Sequence, residues 1–202
     1  MLELLFPEIG GEAGIHVPKW HEMEKPWAIL DDDSSINLKR QIEERVGKEG
    51  LFIHKTAKIG ENVVIENGCY IGPGVEIRNC AYIRKGAWIC RDSLVGHSTE
   101  IKNSVLLPGA KAPHFNYVGD SVIGYNVNLG AGAKISNVRN DRREVIVTVP
   151  GGQRIVSEMV KLGSMIGSSS QLGCNVVTNP GCIILPRSMI GPNEVVSGLY
   201  SN

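Results

Sequence analysis

Apolar residues recur at every sixth position along the middle of this chain. The series runs without a gap through Ile53, Ile59, Ile65, Ile71, Ile77, Ile83, Ile89, Val95, Ile101 and Leu107. A period of six fits neither the 3.6 residues of an α-helical turn nor the two of a simple strand. It is typical of a β-helix, in which each hexad makes one short strand and one turn. The pattern therefore predicts an all-β parallel solenoid over residues 51–202.

The series is interrupted twice. Between Leu107 and Ile123 the count slips, which predicts a loop carrying His114 and Tyr117. Later the sequence REVIVTVPGGQRIV alternates valines and then reaches Pro-Gly-Gly, which predicts a β-hairpin excursion at about 141–160. After it the hexads resume, at Ile166, Leu172, Thr178, Ile184 and Ile190.

Residues 1–50 lack this pattern. They contain the acidic run Asp31–Asp33, and Ser34 or Ser35 is expected to cap a helix over INLKRQIEERV. Because ligands of a Ca²⁺ loop alternate with spacers, the consecutive aspartates favour a solvated acidic turn over a metal site. The ends of a solenoid need covering, so residues 1–50 and the C-terminal VVSGLYSN are the expected caps. No second globular domain is predicted.

Composition narrows the function. Twenty-one basic and twenty-one acidic residues cancel, and aromatic residues make up only 5%, which argues against nucleic acid or an anionic membrane as a partner. The N-terminus lacks a basic segment typical of a signal peptide, and no apolar run approaches the ~20 residues of a membrane span. The five cysteines include no CxxC pair, and Cys69 and Cys182 occupy small-residue positions of the repeat. We therefore expect reduced, structural thiols in a cytoplasmic protein.

The run HxxYxGDxxIGxNxNxGAG extends from His114 to Gly132, and YIRKG (82–86) and EIKNS (100–104) precede it. Over about residues 65–137 these motifs resemble the acetyltransferase half of the bifunctional N-acetylglucosamine-1-phosphate uridyltransferase/glucosamine-1-phosphate acetyltransferase family. They also resemble archaeal sugar-1-phosphate nucleotidyltransferases with the same tail. The resemblance implies a left-handed parallel β-helix with three hexads per coil. It also implies a homotrimer with its site between neighbouring rods, and acetyl transfer from acetyl-CoA to an amino-sugar 1-phosphate such as glucosamine-1-phosphate.

The resemblance also implies roles for single residues on the sugar side. His114 matches the general base that takes a proton from the sugar amine, a role that suits an imidazole. Asn137 matches a residue that positions the amine, and Tyr117 and Asn128 match residues that contact the phosphate and the sugar. Arg143 falls where the family has a phosphate-binding lysine.

On the acyl-donor side the match is weaker. Ala131 and Gly132 correspond to small residues beside which the pantetheine arm of acetyl-CoA runs. Cys174 stands where bacterial members have a serine that contacts coenzyme A, and the basic C-terminal tail of those members has no counterpart before Asn202. No metal is expected in this site.

Arg84 and Lys102 are eighteen residues apart, one full coil, and each follows an inward apolar residue. They should stack about 4.8 Å apart on one face, where two like charges repel unless an anion lies over them. A sugar phosphate is such an anion. In the alternative interpretation Glu66, one coil earlier, neutralises Arg84 in a surface ladder.

Two other functions stay open at this point. The glycine-rich nucleotidyltransferase loop of the bifunctional family does not occur here, although KPWAILDD resembles the segment that follows that domain. The chain is therefore not expected to transfer nucleotides, and it could be a non-catalytic sugar-phosphate-binding or regulatory rod that partners a separate nucleotidyltransferase. A zinc carbonic anhydrase on the same rod would need closely spaced histidines, whereas this rod has His54, His97 and His114.

Overall fold

A computed structural model describes residues 1–10, 16–20, 25–48 and 50–201. Within these ranges, short parallel strands stack into three sheets. Sheet A contains β1 (Leu51–Ile53), β4 (Cys69–Ile71), β7 (Trp88–Ile89), β10 (Val105–Leu106), β13 (Val122–Ile123), β18 (Met165–Ile166), β21 (Ile183–Ile184) and β24 (Leu199–Tyr200). Sheet B contains β2 (Lys58–Ile59), β5 (Glu76–Ile77), β8 (Leu94–His97), β11 (Lys111–His114), β14 (Asn128–Leu129), β19 (Gln171–Leu172) and β22 (Met189–Ile190). Sheet C contains β3 (Val64–Ile65), β6 (Tyr82–Ile83), β9 (Glu100–Lys102), β12 (Tyr117–Gly119), β15 (Lys134–Ile135), β20 (Val177–Thr178) and β23 (Val195–Val196).

Consecutive strands of the rod belong to sheets A, B and C in turn, so the chain forms a β-helix of eight turns. This arrangement confirms the predicted fold class. The hexad explains this arrangement, because the inward residue of each strand stacks on the residue one coil earlier. Ile53, for example, is in register with Ile71, and Ile71 with Ile89. From Ile71 to Val196 the inward residues form one buried core along the rod axis, and the partly buried Ile65 packs against it.

The prediction that Leu107 ends the unbroken inward series is wrong by one residue. Leu106 pairs with Ile89 and lies in the axial core, whereas Leu107 points to the outer side of the rod and is buried there. The step from Ile101 to Leu106 is therefore five residues long. The corner between sheets C and A is shortened by one residue at this coil.

The predicted loop carrying His114 and Tyr117 is also wrong. His114 ends strand β11 and Tyr117 begins strand β12, so both lie on the rod itself. Ala112 and Val118 supply the inward positions that the count of six missed. A second step of five residues leads from Val118 to Ile123, and the steps of six resume after it.

The described residues of the N-terminal region pack against the side of the rod. Helix α1 (Leu2–Leu5), a 3₁₀ helix (Pro26–Leu30) and helix α2 (Leu38–Val46) contribute to a second apolar cluster on the outer face of sheet A. At the N-terminal end of the rod, Ile53 and Ile59 remain 41% and 40% exposed. The described residues of this region thus cover a face of the rod, whereas the sequence predicts that residues 1–50 cap its end.

Helix α2 begins later than expected. Its N-cap is Asn37, whose side chain accepts hydrogen bonds from the backbone N–H groups of Lys39 and Arg40, and neither Ser34 nor Ser35 has this role. In the acidic run before it, the Asp32 carboxylate forms an ion pair with Lys39 at 2.7 Å.

The predicted hairpin is present. Strands β16 (Ile146–Thr148) and β17 (Arg154–Val156) pair antiparallel, and Val145 and Val147 join the outer apolar cluster over sheet A. At the C-terminus, VVSGLYSN does not form a separate cap. Val195–Val196 and Leu199–Tyr200 continue the coil as strands β23 and β24.

All five cysteines are free thiols, as the sequence predicts. Cys69 and Cys182 fill inward core positions, where burial raises the pKa of each thiol to about 12. None of the helices in the described part of the chain has the length and apolar character to cross a membrane.

Candidate active site on sheet C

The outer face of sheet C carries a group of polar side chains, several of which the sequence predicted to act together. Because side chains alternate along a strand, the residues on either side of each inward residue point outward. In register down the sheet these outward residues are Tyr82, Glu100, Tyr117 and Lys134 in one column, and Arg84, Lys102 and Gly119 in the next.

Arg84 and Lys102 do stack one coil apart, but each already has a carboxylate partner. Arg84 Nη1 lies 2.8 Å from Glu100 Oε1, and Lys102 Nζ lies 3.2 Å from Asp120 Oδ2. The expectation that only a bound anion could relieve their repulsion is therefore corrected. Glu66, the neutralising residue of the alternative, instead accepts hydrogen bonds from the Tyr82 hydroxyl and a backbone N–H.

Asp120 is the centre of this group. Its residue surface is only 3% exposed, and its carboxylate accepts from Lys102 Nζ, from Asn103 Nδ2 at 2.8 Å and from Asn137 Nδ2 at 2.5 Å. Its backbone N–H donates to the Lys102 carbonyl, and its own carbonyl accepts from Gly163. The carboxylate thus fixes side chains from the coil before its own and from the coil after it.

The side chain of Tyr117 extends along sheet C toward the group around Asp120. Its hydroxyl contacts the Asn137 side chain. Burial, followed by the charges of Asp120 and Glu100, raises the pKa of Tyr117, so the phenol is held neutral. Gly119 makes room for this contact. A Cβ there would lie 2.6 Å from the Tyr117 hydroxyl and 2.7 Å from Asn137 Nδ2.

His114 lies at the opposite edge of this face, at the corner between sheets B and C. Its backbone is fixed, because its N–H donates to Asn116 Oδ1 and its carbonyl accepts from Gly132. The side chain is exposed, and among the described residues the imidazole has no hydrogen-bond partner. It stands in register with His97 of the preceding coil. The ring is therefore accessible to a ligand.

The donor-side residues follow His114 along the same corner. Gly132, with a φ of +72°, donates to the His114 carbonyl, and the Ala131 carbonyl accepts from Asn175. Cys174 is exposed on the next coil, and a Cβ on Gly130 would lie 2.5 Å from its backbone nitrogen. His114, Ala131, Gly132 and Cys174 are thus brought together at one corner.

Two predicted residues stand apart from the group around Asp120. Asn128 begins strand β14 of sheet B, where it pairs with Lys111 and Gln171. Arg143 is exposed on the segment between β15 and β16, and its backbone N–H donates to Asp141. The contacts of the described residues do not link either one to Asp120.

A cavity of about 420 Å³ opens beside the Asp120 end of the group. It lies between the rod, the N-terminal region and the return segment of the hairpin excursion. Of the site residues predicted from sequence, only Arg84 and Lys102 line it, and Arg143 and His114 do not. Its other lining residues include Asp32, Lys39, Asp120 and Lys161.

Asp120 and Asn103 are the residues that sequence reasoning missed. Asp120 lies inside the quoted motif, but nothing local marks it as the acceptor for three side chains. Both residues have positive φ, 47° and 43°, at the two shortened corners. A break in the count of six is the feature that could have located them.

The described residues contain no group of three or more histidine, cysteine or acidic side chains arranged to hold a metal ion. The two rod histidines in register make different contacts. His97 Nδ1 lies 2.9 Å from the Asn79 carbonyl and its Nε2 lies 3.2 Å from the Ser98 hydroxyl, whereas His114 faces outward.

A known family model matches the N-terminal coils of the rod. Residues 48–79 match the family model described as bacterial transferase hexapeptide (six repeats). Among solved structures, a hexapeptide transferase family protein from Anaplasma phagocytophilum superposes with a TM-score of 0.49 at 13% identity, covering 74% of this chain and 83% of that one.

Sequence relatives match most of the chain. A bifunctional sugar-1-phosphate nucleotidylyltransferase/acetyltransferase of Sulfurisphaera tokodaii is 40% identical over 192 residues, covering 88% of this chain and 46% of that protein. The bifunctional protein GlmU of Methanococcus maripaludis (strain C5) is 35% identical, covering 94% and 47%. The chain spans about half the length of the curated relatives it matches. The chain therefore carries the hexapeptide repeat described for bacterial transferases and is homologous to about half of each of these two bifunctional proteins.

Proposed function

We propose that this chain is an acetyl-CoA-dependent N-acetyltransferase that acts on an amino-sugar 1-phosphate, with glucosamine-1-phosphate as substrate. The observation that carries the proposal is the convergence of Lys102, Tyr117 and Asn137 on Asp120, on the same sheet face that begins at His114. The group offers a cation, a neutral phenol and an amide, which suits a ligand with phosphate, hydroxyl and amine groups. The name of the Sulfurisphaera tokodaii relative, a nucleotidylyltransferase/acetyltransferase, supports the same reaction class.

In this mechanism His114 acts as the general base. The amine nitrogen attacks the thioester carbonyl carbon, a C–N bond forms, and the amine proton passes to the imidazole. The C–S bond then breaks, and the leaving thiolate takes a proton to become the free thiol. The exposed, unpaired ring of His114 is accessible for this transfer.

Asn137 positions the amine. Because its Nδ2 donates to Asp120, its side-chain oxygen is available to accept a hydrogen bond from the substrate amine. Arg84 and Lys102 contribute to binding the phosphate, with Tyr117 and Asn128 beside the sugar. Holding the amine against the thioester on a rigid rod removes much of the entropic cost of the reaction.

Ala131, Gly132 and Cys174 would hold acetyl-CoA along the corner that His114 shares. The small residues leave room for the pantetheine arm beside the backbone. We place the complete site between rods of a homotrimer in the cytoplasm, with Arg143 within reach of the phosphate. A mass in solution near three times the chain mass of 21.9 kDa would support the trimer, and a monomer mass would refute it.

The test is release of free thiol from acetyl-CoA in the presence of glucosamine-1-phosphate. His114→Ala should lower kcat about a hundredfold or more. His97→Ala is the matched control, since that histidine stands in register one coil away and should retain turnover. Equal thiol release from both variants, or none from the wild-type protein, would refute the proposal.

A second candidate is a non-catalytic sugar-phosphate-binding or regulatory rod that partners a separate nucleotidyltransferase. The observation in its favour is the exposed thiol of Cys174 where an acetyl-CoA-binding hydroxyl is expected. Binding of glucosamine-1-phosphate without any thiol release would support this candidate.

A further inference from the structure

Phe115 directly follows His114 and lies at the corner between sheets B and C, where its φ is +54°. Each coil has one residue with a positive φ at this corner. In register from the first coil onward these residues are Asn62, Cys80, Ser98, Phe115, Gly132, Asn175 and Asn193. The other six are asparagine, serine, cysteine or glycine, so Phe115 is the bulky exception in this column.

The stacking of the coils imposes this backbone conformation. The N–H of Phe115 donates to the His97 carbonyl at 3.0 Å, and the N–H of Gly132 donates to the His114 carbonyl at 2.9 Å. Asparagine and glycine tolerate the left-handed region, whereas a bulky side chain is strained there. Phe115 therefore cannot relax its backbone without breaking the hydrogen bonds that join neighbouring coils.

Burial does not offset the strain. Phe115 is 57% exposed and belongs to neither apolar cluster of the described residues. Its ring makes an edge-to-face contact with the His97 ring, with the centroids 5.4 Å apart. A single exposed apolar residue is ordinary on a protein surface. One that is also strained and adjoins the proposed base indicates a role in function rather than in folding.

The ring of Phe115 faces the sugar side of the proposed site. His97, on which it packs, belongs to the preceding coil, and that coil continues into strand β9, which ends at Lys102. The His97 ring is itself held, because its Nδ1 lies 2.9 Å from the Asn79 carbonyl. The residues proposed to hold acetyl-CoA lie on the following coils instead. The ring is thus beside His114 and turned toward the coil of Lys102.

The shape of an amino sugar suits such a surface. A pyranose ring has C–H groups on its two faces and hydroxyl groups around its edge. A flat aromatic side chain covers one face and leaves the hydroxyls free for hydrogen bonds. We propose that Phe115 is a platform on which one face of the amino-sugar ring packs, so that the amine is held near His114. This inference rests on the proposed function for the identity of the sugar.

The experiment replaces Phe115 with asparagine, which removes the ring and tolerates the positive φ. Because strain is relieved, the Tm should rise by about 2 °C. The KM for glucosamine-1-phosphate should rise about fivefold to tenfold, the loss of one aromatic contact, while the KM for acetyl-CoA stays unchanged. Phe115→Tyr keeps a ring and should retain the wild-type KM. Cys80→Asn is the matched control in the same column and should leave both KM values unchanged.

Two further measurements distinguish packing on the sugar from binding of the phosphate. The KM for glucosamine should rise in Phe115→Asn by the same factor as the KM for glucosamine-1-phosphate, because the ring contacts the sugar. His97→Ala removes the support of the ring and should raise both KM values about twofold to threefold without lowering kcat. A rise confined to the phosphorylated sugar would contradict the platform.

Other outcomes would also overturn the inference. A lower Tm of Phe115→Asn would show that the ring serves folding, and a higher KM for acetyl-CoA would place the ring on the donor side. A changed mass in solution would show that it packs between copies of the chain. Unchanged kinetics would show that the ring is dispensable.

Calorimetric titration with glucosamine-1-phosphate keeps the platform separate from the proposed function. If the wild-type protein binds the sugar phosphate without turnover and Phe115→Asn weakens binding about fivefold, the acetyltransferase proposal fails and the role of Phe115 stands. If the wild-type protein turns over and Phe115→Asn matches it, the role of Phe115 fails alone. Wild-type protein that does not bind the sugar phosphate would overturn both.

Discussion

The side-chain nitrogen of Asn137 donates to Asp120 across 2.5 Å, and this contact fixes which way the amide faces. An ionised carboxylate can only accept hydrogen bonds, so the nitrogen must point toward it and the oxygen away. The same carboxylate also accepts from Lys102 and Asn103. One buried anion therefore orients both the acceptor and the cation that the proposed function assigns to the amine and the phosphate of the substrate.

Replacing Asp120 with Asn should impair both stability and turnover. The change preserves the shape of the side chain, but one carboxylate oxygen becomes an amide NH₂ group. That group then faces one of the donors whose hydrogen bond the carboxylate accepts in the wild-type protein. Because a buried charged partner is lost from Lys102, we expect the free energy of unfolding to fall by about 3 kcal/mol. Urea denaturation measures this directly.

The control for this change is Asp92→Asn, which alters an exposed carboxylate and should shift the free energy of unfolding by less than about 0.5 kcal/mol. Positioning by Asp120 also predicts a kinetic effect in protein that is still folded. The kcat for thiol release should fall more than the KM for acetyl-CoA rises, because the residues proposed to hold acetyl-CoA lie at another corner. Unchanged unfolding together with unchanged kcat would contradict the role of Asp120.

Gly119→Ala tests the close approach of Tyr117 and Asn137. Its added Cβ would lie 2.6 Å and 2.7 Å from their polar atoms, so the two side chains must separate. We expect kcat/KM for the sugar phosphate to fall at least about tenfold, with a loss of stability of about 1–3 kcal/mol. Gly10→Ala is the control, because no atom of the described residues lies within 4 Å of its added Cβ. Wild-type kinetics in Gly119→Ala would show that the contact is dispensable.

The sequence predicts the rod well because its rule is local and repeats. Each hexad up to Ile101 supplies its own inward residue, and the structure confirms that regularity from Ile71 onward. The rule fails at Leu106 and Leu107, since adjacent leucines satisfy a count of five or of six equally well. Only the pairing of Leu106 with Ile89 distinguishes them.

The site was harder to predict than the rod because its residues do not follow the local rule of six. The two five-residue steps fall at the corners that carry Asn103 and Asp120, whose polar side chains tolerate positive φ. Asp120 contacts residues 17 and 18 positions away, so its role depends on coil stacking and leaves no local pattern. The position of Lys161 depends on the path of a hairpin that carries no hexads.

A hydrogen bond between His16 and Tyr70 joins the N-terminal region to the rod. His16 Nδ1 lies 2.6 Å from the Tyr70 hydroxyl, and the rings of His16 and His54 are 5.6 Å apart. Burial, followed by the nearby charges of His54 and Arg45, lowers the pKa of His16 below its ordinary value of 6.5. The folded state therefore binds a proton at His16 less readily than the unfolded state.

Because the unfolded state takes up more protons at this group, the contribution of His16 to stability should be lost as the pH falls through 6.5. Urea unfolding between about pH 7.5 and about pH 5.5 should show a free energy that declines with acidification. The decline should be smaller in His16→Gln. His97→Gln alters an exposed histidine outside this contact and is the control. A slope that is the same in His16→Gln and the wild-type protein would argue against this linkage.

Cys174→Ser tests the donor side of the site. A thiol is a weak hydrogen-bond donor and acceptor, whereas a hydroxyl donates and accepts well. If the exposed Cys174 faces acetyl-CoA, the serine variant should lower the KM for acetyl-CoA about threefold to tenfold, the gain from one added hydrogen bond. The KM for glucosamine-1-phosphate should stay unchanged. Cys80→Ser replaces the other exposed thiol and controls for loss of a reactive cysteine. An equal effect of the two serine variants, or none of Cys174→Ser, would place the coenzyme elsewhere on the rod.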